Sequence, residues 1–291
     1  MKFILKNYSC SLCGKEETKL LFTKQDFSIV KCRNCRFVYV NPRVEDEQLA
    51  LIYTHNYFTN KDYGYVSYEQ EKRLRVKNFE RWLNDADKYI DKAVPVSALD
   101  VGCAAGYCLK LMNAKGWQIK GLELDEEMCV NLQKNGFNIS NSLLGNFKTE
   151  TRFSVITLFD VIEHIPNIDE AFSKLHSLLT QNGVIIMVTP NHNSLQRKIF
   201  GKSWFQYKPI EHIQYFDRRS LNIFAERNGL KIVYQTSCGQ YADTQFLLNR
   251  LSYYHFSFLS KFFNKIFGIL KLKDKFLYTD TGSLFLVLKR K

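Results

Sequence analysis

The sequence predicts an α/β fold with a seven-stranded, mainly parallel sheet and a small metal-binding module at its N-terminus. Two observations carry the prediction of the sheet: a strand–turn–helix–strand unit over residues 96–125, and short apolar runs that alternate with helical segments downstream of it. A third observation, two C-x-x-C pairs before residue 36, predicts the module. The chain of 291 residues is long enough for one large domain with an appendage.

The unit over residues 96–125 has the order of a nucleotide-binding βαβ motif. Its first apolar run contains Asp100 and leads into a turn with Gly102 and Gly106, and its second apolar run ends at Glu123. The glycines allow a sharp turn and a close approach of a ligand to the backbone. The following helix presents unpaired N–H groups at its start. A carboxylate at the end of the second strand can accept hydrogen bonds from a ribose diol.

The turn differs from that of dinucleotide-binding proteins. Those proteins use G-x-G-x-x-G, whereas here only Gly102 and Gly106 are present, and Asp100 precedes the turn, where it would repel a phosphate. An acid at this position suits a ligand with a positively charged end. S-adenosylmethionine carries an ammonium, a sulfonium and a ribose but no phosphate, and it fits this pattern.

The run LDVGCAAG followed by GLELD resembles motif I and the post-I acid of class I S-adenosylmethionine-dependent methyltransferases. The resemblance implies a Rossmann-like, seven-stranded class I methyltransferase sheet with S-adenosylmethionine as the cofactor. Ala104 stands where relatives usually have glycine, and its small side chain keeps the turn plausible. By the same resemblance, the cofactor-binding residues are Asp100, Gly102, Cys103, Ala104, Gly106, Glu123 and Leu124.

A second informative run, FDVIEHIPN, follows the apolar segment at residues 153–159. Ligands of open parallel sheets bind beyond the carboxyl ends of the strands, so Asp160 and His164 are expected in the same crevice as the cofactor. The run resembles motif IV of the small-molecule branch of class I methyltransferases, which implies that Asp160 contacts the cofactor and that His164 acts as a base. The alternative role of His164 is helix capping or packing. The Asn/Asp-Pro-Pro-Tyr signature of nucleic-acid amino methylases is absent from the sequence.

A third run, EHIQYFDRRSLNIFAERNGLKIV, resembles the segment after strand five of sugar and small-metabolite methyltransferases. In sugar C-methyltransferases with a zinc module, an acid–histidine pair at this place lies at the substrate. The resemblance implies that role for Glu211 and His212. The alternative is a hydrogen-bonded pair with a structural role.

Four cysteines near the N-terminus have the spacing of a zinc site. Cys10 and Cys13 form one pair, Cys32 and Cys35 form the other, and 18 residues separate the pairs. A segment this short buries little core, so the metal would supply its folding energy. The alternatives are a redox pair or unrelated thiols. The other cysteines have no partner spacing and are predicted to be core residues: Cys103, Cys108, Cys129 and Cys238.

The predicted organisation has three parts: a zinc-binding module at residues 1–43, a helical lid or linker at 44–95, and the methyltransferase domain at 96–291, with insertions at 192–215 and 237–282. A tyrosine-rich stretch at 55–68 is the candidate lid, with a solvent-facing loop as the alternative, and a long helix is expected at 69–90. The other predicted elements are helices at 126–135 and 168–179, a helix starting at Asp217, and strands at 137–140, 153–159, 184–188, 230–235 and 283–288.

Charge is distributed unevenly along the chain. The net charge of +12 divides into +4 for residues 1–95, −3 for 96–190 and +11 for 191–291. The positive charge of the last third indicates a negatively charged partner. The alternatives are an anionic substrate, a lipid surface and nucleic acid. The segment 237–282 is interpreted as a substrate cover, a membrane-surface element or ordinary helices with solvated lysines. No apolar run approaches the roughly 20 residues of a membrane span. The start of the chain does not fit a signal peptide, and a cytoplasmic location is predicted.

These patterns lead to one leading functional hypothesis. The protein is predicted to transfer a methyl group from S-adenosylmethionine to an oxygen, less often a nitrogen, of a small metabolite, with a sugar or polysaccharide precursor favoured. The sequence lacks the large C-terminal domain of the zinc-module sugar methyltransferases, which argues against C-methylation. Two alternatives remain: an rRNA methyltransferase with a zinc module, and a non-catalytic adaptor that keeps the fold.

Overall fold

The computed structural model of the protein describes residues 3–53, 72–244, 248 and 276–291. The strands are β1 Leu5–Lys6, β2 Thr18–Lys24, β3 Phe27–Cys32, β4 Val38–Val40, β5 Arg43–Val44, β6 Ser97–Val101, β7 Gln118–Glu123, β8 Ile139–Asn141, β9 Phe153–Phe159, β10 Leu179–Pro190, β11 Gln214–Tyr215, β12 Leu230–Asp243 and β13 Phe276–Arg290. The helices are α1 Asp46–Ile52, α2 Lys72–Ala86, α3 Tyr107–Ala114, α4 Glu126–Lys134, α5 Ile168–Leu178, α6 Leu195–Phe200 and α7 Arg218–Arg227, with 3₁₀ turns at Asp87–Tyr89, Ile162–His164 and Gly201–Ser203.

The large sheet confirms the predicted α/β fold. Within the described ranges it has seven strands in the order β12-β13-β10-β9-β6-β7-β8. The five strands from β10 to β8 are parallel, whereas β13 is antiparallel to both of its neighbours. The carboxyl ends of β6, β7 and β9 therefore lie together at one edge of the sheet, where a ligand of such a fold binds.

The central strands are apolar because helices cover both faces of the sheet. Almost every residue of β9 is buried, and so are four of the five residues of β6. The helices begin where the sequence supplies caps: Asp125 accepts the N–H of Met128 at the start of α4, and Asn167 accepts that of Glu170 at the start of α5. Short, capped connections of this kind hold the loops at the carboxyl edge in place.

The N-terminal sheet includes a strand from a distant part of the chain. Its order is β11-β4-β3-β2, and β11 belongs to the segment 192–215. Two arginines of α7 also reach the module: Arg219 donates to the carbonyl of Cys35 at 2.8 Å, and Arg227 donates to that of Leu12 at 3.0 Å. The module is thus attached to the large domain by backbone pairing and by side chains.

Several predicted element boundaries need correction. The long helix expected at 69–90 is observed as α2 with the 3₁₀ turn Asp87–Tyr89, and the third strand of the large sheet begins at Ile139 rather than at 137. Strand β10 starts at Leu179, directly after α5, because the chain turns into the sheet without a loop. Strands β12 and β13 extend to Asp243 and from Phe276, so the ends of the predicted 237–282 insertion are a strand pair.

Two sequence interpretations concern residues that the structure does not describe. The tyrosine-rich candidate lid at 55–68 and the centre of the basic 237–282 segment lie outside the described residues. Among the helices that the structure describes, none has the length and apolar character needed to cross a membrane. The remaining cysteines Cys103, Cys108, Cys129 and Cys238 are buried, as predicted.

Candidate functional site

A cavity of about 660 Å³ opens at the carboxyl edge of the large sheet. This volume is in the range of about 300–1,000 Å³ that is usual for small-molecule sites. Residues of the glycine turn, of the loops after β7 and β9, and of the segment before β11 line it. The predicted site residues that line this cavity are Asp100, Gly102, Cys103, Ala104, Glu123, Leu124, Asp160, His164 and His212.

The turn after β6 depends on left-handed backbone conformations. Gly102 and Gly106 both have φ of 71°, a region that only glycine adopts without strain. A Cβ atom on Gly102 would approach Val161 at 2.8 Å, and one on Gly106 would approach Leu132 at 2.5 Å. Gly106 does not line the cavity, and its role is to let the turn pack against α4. Ala104 has φ of 47°, so it adopts with strain the conformation that glycine would adopt freely.

Glu123 is fixed by the backbone around it. Its Oε2 accepts the N–H of Ala104 at 2.7 Å, while Oε1 accepts the N–H groups of Leu124 at 2.7 Å and Asp125 at 3.0 Å. Burial raises the pKa of Glu123, and these three hydrogen bonds oppose the rise. Oε1 thus uses both of its lone pairs on the backbone, whereas Oε2 keeps one lone pair for a ligand at the cavity wall. The carboxylate therefore joins the glycine turn to the end of β7 in one rigid unit.

Asp100 is a buried carboxyl group at the bottom of the cavity. It is 3% exposed and accepts a hydrogen bond from Thr157 at 2.5 Å. Burial raises the pKa of Asp100 to about 7, although the hydrogen bond from Thr157 favours the ionised form. A positively charged ligand in the cavity would lower this pKa again, because an opposite charge nearby stabilises the carboxylate.

The loop after β9 brings two more carboxyl groups to the cavity. Asp160 has φ of 54°, a strained conformation for a residue other than glycine. Glu163, which the sequence interpretation passed over, is 1% exposed, and its Oε2 accepts a hydrogen bond from Thr189 at 2.9 Å. Among the residues that the structure describes, Oδ1 of Asp160 and Oε1 of Glu163 have no hydrogen-bond partner. The local signal that could have singled out Glu163 is an acidic residue directly after the buried, apolar Ile162.

His164 is held in one orientation by its Nδ1 atom. This atom lies 2.9 Å from the hydroxyl of Tyr53 and 3.0 Å from the carbonyl oxygen of Glu211. A carbonyl oxygen can only accept, so the contact with Glu211 favours the tautomer with the proton on Nδ1, which leaves the lone pair on Nε2. Burial lowers the pKa of His164 to about 4, and the imidazole is neutral at physiological pH.

His212 repeats the same arrangement next to His164. Its Nδ1 lies 2.9 Å from the carbonyl oxygen of Gln206, which leaves the lone pair on Nε2. The two imidazole rings have centroids 4.8 Å apart in a T-shaped contact. Burial lowers the pKa of His212 well below its usual value. One carboxylate oxygen of Glu163 and one nitrogen of each histidine all lie within 4.8 Å of one another.

Glu211 is placed differently from its neighbour. It does not line the cavity, and its Oε2 lies 3.5 Å from Nζ of Lys208. Its backbone carbonyl accepts the hydrogen bonds of Tyr53 and His164. The structure thus places the Glu211 carboxylate outside the cavity and its main chain behind His164.

The four N-terminal cysteines come together as a separate cluster. The Sγ atoms of Cys10 and Cys35 are 3.4 Å apart, and those of Cys13 and Cys32 are 3.5 Å apart. All four Sγ atoms lie within 4.8 Å of one another, and all four cysteines are free thiols. Tetrahedral zinc bound at about 2.3 Å holds its sulfur ligands about 3.8 Å apart, so the cluster has the dimensions of such a site.

The chain is similar to known methyltransferases in sequence and in fold. The profile of a family described as "Methyltransferase domain" matches residues 69–235, more than half of the chain. The ubiquinone biosynthesis O-methyltransferase of Coxiella burnetii (strain Dugway 5J108-111) is 24% identical over 164 residues, which cover 50% of this chain and 69% of that protein. The protein of the same name from Rickettsia prowazekii (strain Madrid E) is 23% identical over 147 residues, 47% of this chain and 56% of that protein. The chain thus spans about half the length of the Rickettsia prowazekii relative.

Solved structures show the same fold at lower identity. Magnesium protoporphyrin IX methyltransferase (ChlM) from Synechocystis PCC 6803, solved with bound SAH, is 13% identical with a TM-score of 0.53, covering 85% of this chain and 100% of that one. A SAM dependent methyltransferase from Archaeoglobus fulgidus is 18% identical with a TM-score of 0.52, covering 76% of this chain and 98% of that one.

Proposed function

We propose that this chain, which belongs to the methyltransferase-domain family, transfers a methyl group from S-adenosylmethionine to an oxygen atom of a small molecule bound in the cavity. One observation carries this proposal. The glycine turn with Glu123 and the group formed by Glu163, His164 and His212 line the same cavity. A cofactor on the turn and an acceptor beside the histidines would share one enclosed space.

S-adenosylmethionine fits the first part of this cavity. The Glu123 carboxylate is available to the ribose diol, the backbone around Cys103 and Leu124 to the adenosine, and the Asp100 and Asp160 carboxyls to the positively charged end. When bound, the cofactor supplies the electrophilic methyl carbon. The protein has to align the acceptor with it, and alignment alone contributes about 7–11 kcal/mol to lowering the barrier.

The second part of the cavity activates the acceptor oxygen. His164 and His212 are neutral, and each keeps an Nε2 lone pair because Nδ1 donates to a carbonyl. A neutral imidazole can take the proton of a hydroxyl, which typically contributes about 10²–10⁴-fold to the rate. Glu211 acts through its backbone, as a positioning residue for His164. The printed name of the curated relatives, O-methyltransferase, supports oxygen as the acceptor atom.

The identity of the acceptor molecule remains a prediction from the sequence. A sugar or polysaccharide precursor finds no support in the relatives' names, which refer to ubiquinone biosynthesis. Methylation of rRNA, contact with a membrane surface and a cytoplasmic location also stay predictions from the sequence. Family membership argues against the non-catalytic adaptor.

We propose zinc as the ion of the four-cysteine cluster. Four thiolates at tetrahedral spacing complete the coordination of zinc and leave no open position for a substrate. The role is therefore structural: the ion holds the loops at Cys10–Cys13 and Cys32–Cys35 against α7, which donates to the carbonyl of Cys35. The relative positions of β4 and β11, and with them that of His212, depend on this module.

The experiment is a product screen with purified, zinc-loaded protein. The protein is incubated with methyl-labelled S-adenosylmethionine and a panel of phenols, diols, nucleotide sugars, amines and structured RNA, and mass spectrometry identifies the methylated products. We expect a methyl ether of a small hydroxyl compound, and no product from the Gly102→Arg variant, whose side chain would fill the turn. Methylation of amines or RNA alone would contradict the proposal.

A further inference from the structure

We propose that Glu163, His164 and His212 bind a divalent transition-metal ion at the acceptor end of the cavity. The inference rests on the proposed methyl transfer and specifies how the acceptor oxygen is activated. One oxygen or nitrogen atom of each residue lies within 4.8 Å of the other two. Two imidazoles and one carboxylate are a donor set that suits zinc, iron and related ions and leaves positions open for a substrate.

The histidines have the protonation state and the support that metal ligands require. A ligating imidazole is neutral and usually donates its other N–H to a carbonyl or carboxylate, which fixes the ring. His164 meets this condition through the carbonyl of Glu211, and His212 through that of Gln206. These carbonyl contacts hold both rings in place beside Glu163.

Glu163 provides the second, independent observation. Its carboxyl group is 1% exposed, Thr189 binds Oε2, and among the described residues Oε1 has no hydrogen-bond partner. A buried oxygen without a partner is costly, since burial removes its hydration. A cation between the carboxylate and the two imidazoles would satisfy this oxygen.

The surroundings of the three residues are compatible with a cation. The carboxyl group of Asp160, also without a partner at Oδ1, lies near Glu163 and adds negative charge. Arg75 and Lys208 add positive charge beside Asp160, and Nζ of Lys208 is 3.5 Å from the carboxylate of Glu211. An ion bound at about 2.0–2.2 Å would hold its ligand atoms at most about 4.4 Å apart, and the three ligand atoms lie within 4.8 Å of one another.

A bound ion changes the chemistry of the acceptor. A hydroxyl bound to a divalent cation loses its proton more readily, and the proton leaves to water. The resulting oxyanion attacks the methyl carbon of the sulfonium; the C–O bond forms as the C–S bond breaks, and the products are a methyl ether and a neutral thioether. The two histidines then act as ligands, and no base other than water is needed.

Metal titration of the zinc-loaded full chain tests this proposal. After the four-cysteine cluster has taken up one equivalent of Zn²⁺, Co²⁺ is added and followed by calorimetry and visible absorption. We expect a second equivalent whose spectrum shows weak d–d bands without thiolate charge transfer. Glu163→Gln and His212→Gln should each weaken its binding at least tenfold. The control His176→Gln changes a histidine outside the cavity and should bind Co²⁺ like the wild type.

Three results separate the possible outcomes. A wild type that takes up only one equivalent of metal, or variants that take up the second as tightly as the wild type, would overturn the cation site. Circular dichroism shows whether each variant is folded. Because the two variants change different ligands, the test still holds if one of them fails to fold. S-adenosylmethionine is titrated into the same preparation: binding without a second cation refutes only this inference, whereas no binding refutes the proposed methyl transfer.

Discussion

The Oε2 atom of Glu123 lies 2.7 Å from the backbone nitrogen of Ala104, whose N–H it accepts. This hydrogen bond connects the end of β7 with the turn that follows β6. The residue expected to bind the ribose therefore also fixes the backbone expected to contact the rest of the cofactor.

Replacing Glu123 should affect binding and stability together. Glu123→Ala removes the acceptor for three backbone N–H groups, and buried donors without partners cost about 1–3 kcal/mol each. We expect at least a tenfold loss of affinity for S-adenosylmethionine and a lower melting temperature, measured by calorimetry and thermal unfolding. Glu126→Ala, at an exposed acid in the first turn of α4, is the matched control and should change neither.

The left-handed turn positions predict opposite outcomes for two small substitutions. Ala104→Gly should stabilise the protein by about 1 kcal/mol, because it removes the cost of a left-handed alanine at φ of 47°. Ala105→Gly, at the next residue, lacks this benefit and should destabilise. Urea unfolding measures both, and equal effects would contradict the strain at Ala104.

Two glycines with similar φ separate backbone strain from close packing. Gly116→Ala, at φ of 77° with open space around its Cβ, should cost only about 1 kcal/mol. Gly106→Ala, at φ of 71°, adds a contact of 2.5 Å with Leu132 and should cost a further 1–3 kcal/mol or so. We expect Gly106→Ala alone to weaken cofactor binding. Equal losses of stability in both variants would show that the turn does not depend on packing against α4.

The buried carboxyl of Asp100 predicts a pH dependence. Burial raises its pKa to about 7, above the unfolded value of 3.8, so the folded state holds its proton more tightly. Its ionisation in the folded state therefore destabilises the protein as the pH rises from about 4 through 7. Asp100→Asn should stabilise the ligand-free protein more at pH 8 than at pH 5, and weaken the binding of S-adenosylmethionine. Equal effects of Asp100→Asn on the unfolding free energy at pH 5 and pH 8 would contradict the raised pKa of Asp100.

Removal of His164 should affect turnover rather than cofactor affinity. His164→Ala is expected to lower kcat at least tenfold, because it removes the Nε2 lone pair that either takes the acceptor proton or, with an ion bound, holds the metal. The calorimetric affinity for S-adenosylmethionine should change little. His176→Ala provides the comparison, since it removes an imidazole that contacts Arg290 outside the cavity. Unchanged turnover in His164→Ala would reduce His164 to a packing role.

The proposed zinc site of the four-cysteine cluster predicts a metal-dependent loss of folding. Cys13→Ser and Cys32→Ser should each lower the zinc content and the melting temperature, because the binding energy of a structural zinc ion is folding energy. Cys238→Ser changes a buried cysteine of the large domain and should retain zinc. Elemental analysis measures the metal. Full zinc content in Cys13→Ser would show that the cluster binds the ion in another way or not at all.

Local patterns in the sequence predicted the large sheet because its central strands β6, β9 and β10 contain nearly continuous apolar runs. The turn at 102–106 and Glu123 could be placed for the same reason, since their spacing along the chain fixes their positions at adjacent strand ends. The contribution of β11 to the N-terminal sheet could not be predicted, because two residues paired across more than 170 positions leave no local signal.

The side chains around His164 and His212 also depend on contacts between distant parts of the sequence. His164 was predicted from its motif, but its contact with Tyr53 joins residues 111 positions apart, and that with Glu211 joins residues 47 apart. Glu163 was missed because its meaning depends on the burial of one oxygen and on the approach of His212 from a distant segment. Side-chain clusters of this kind arise from tertiary packing, which periodicity along the chain does not record.

The most direct test of the account is a calorimetric titration of the zinc-loaded protein with S-adenosylmethionine, repeated with Glu123→Ala. We predict that the wild type binds one equivalent and that the variant binds at least tenfold more weakly. Binding that is absent from the wild type, or equally tight in both proteins, would contradict the assignment of the cofactor to the turn after β6.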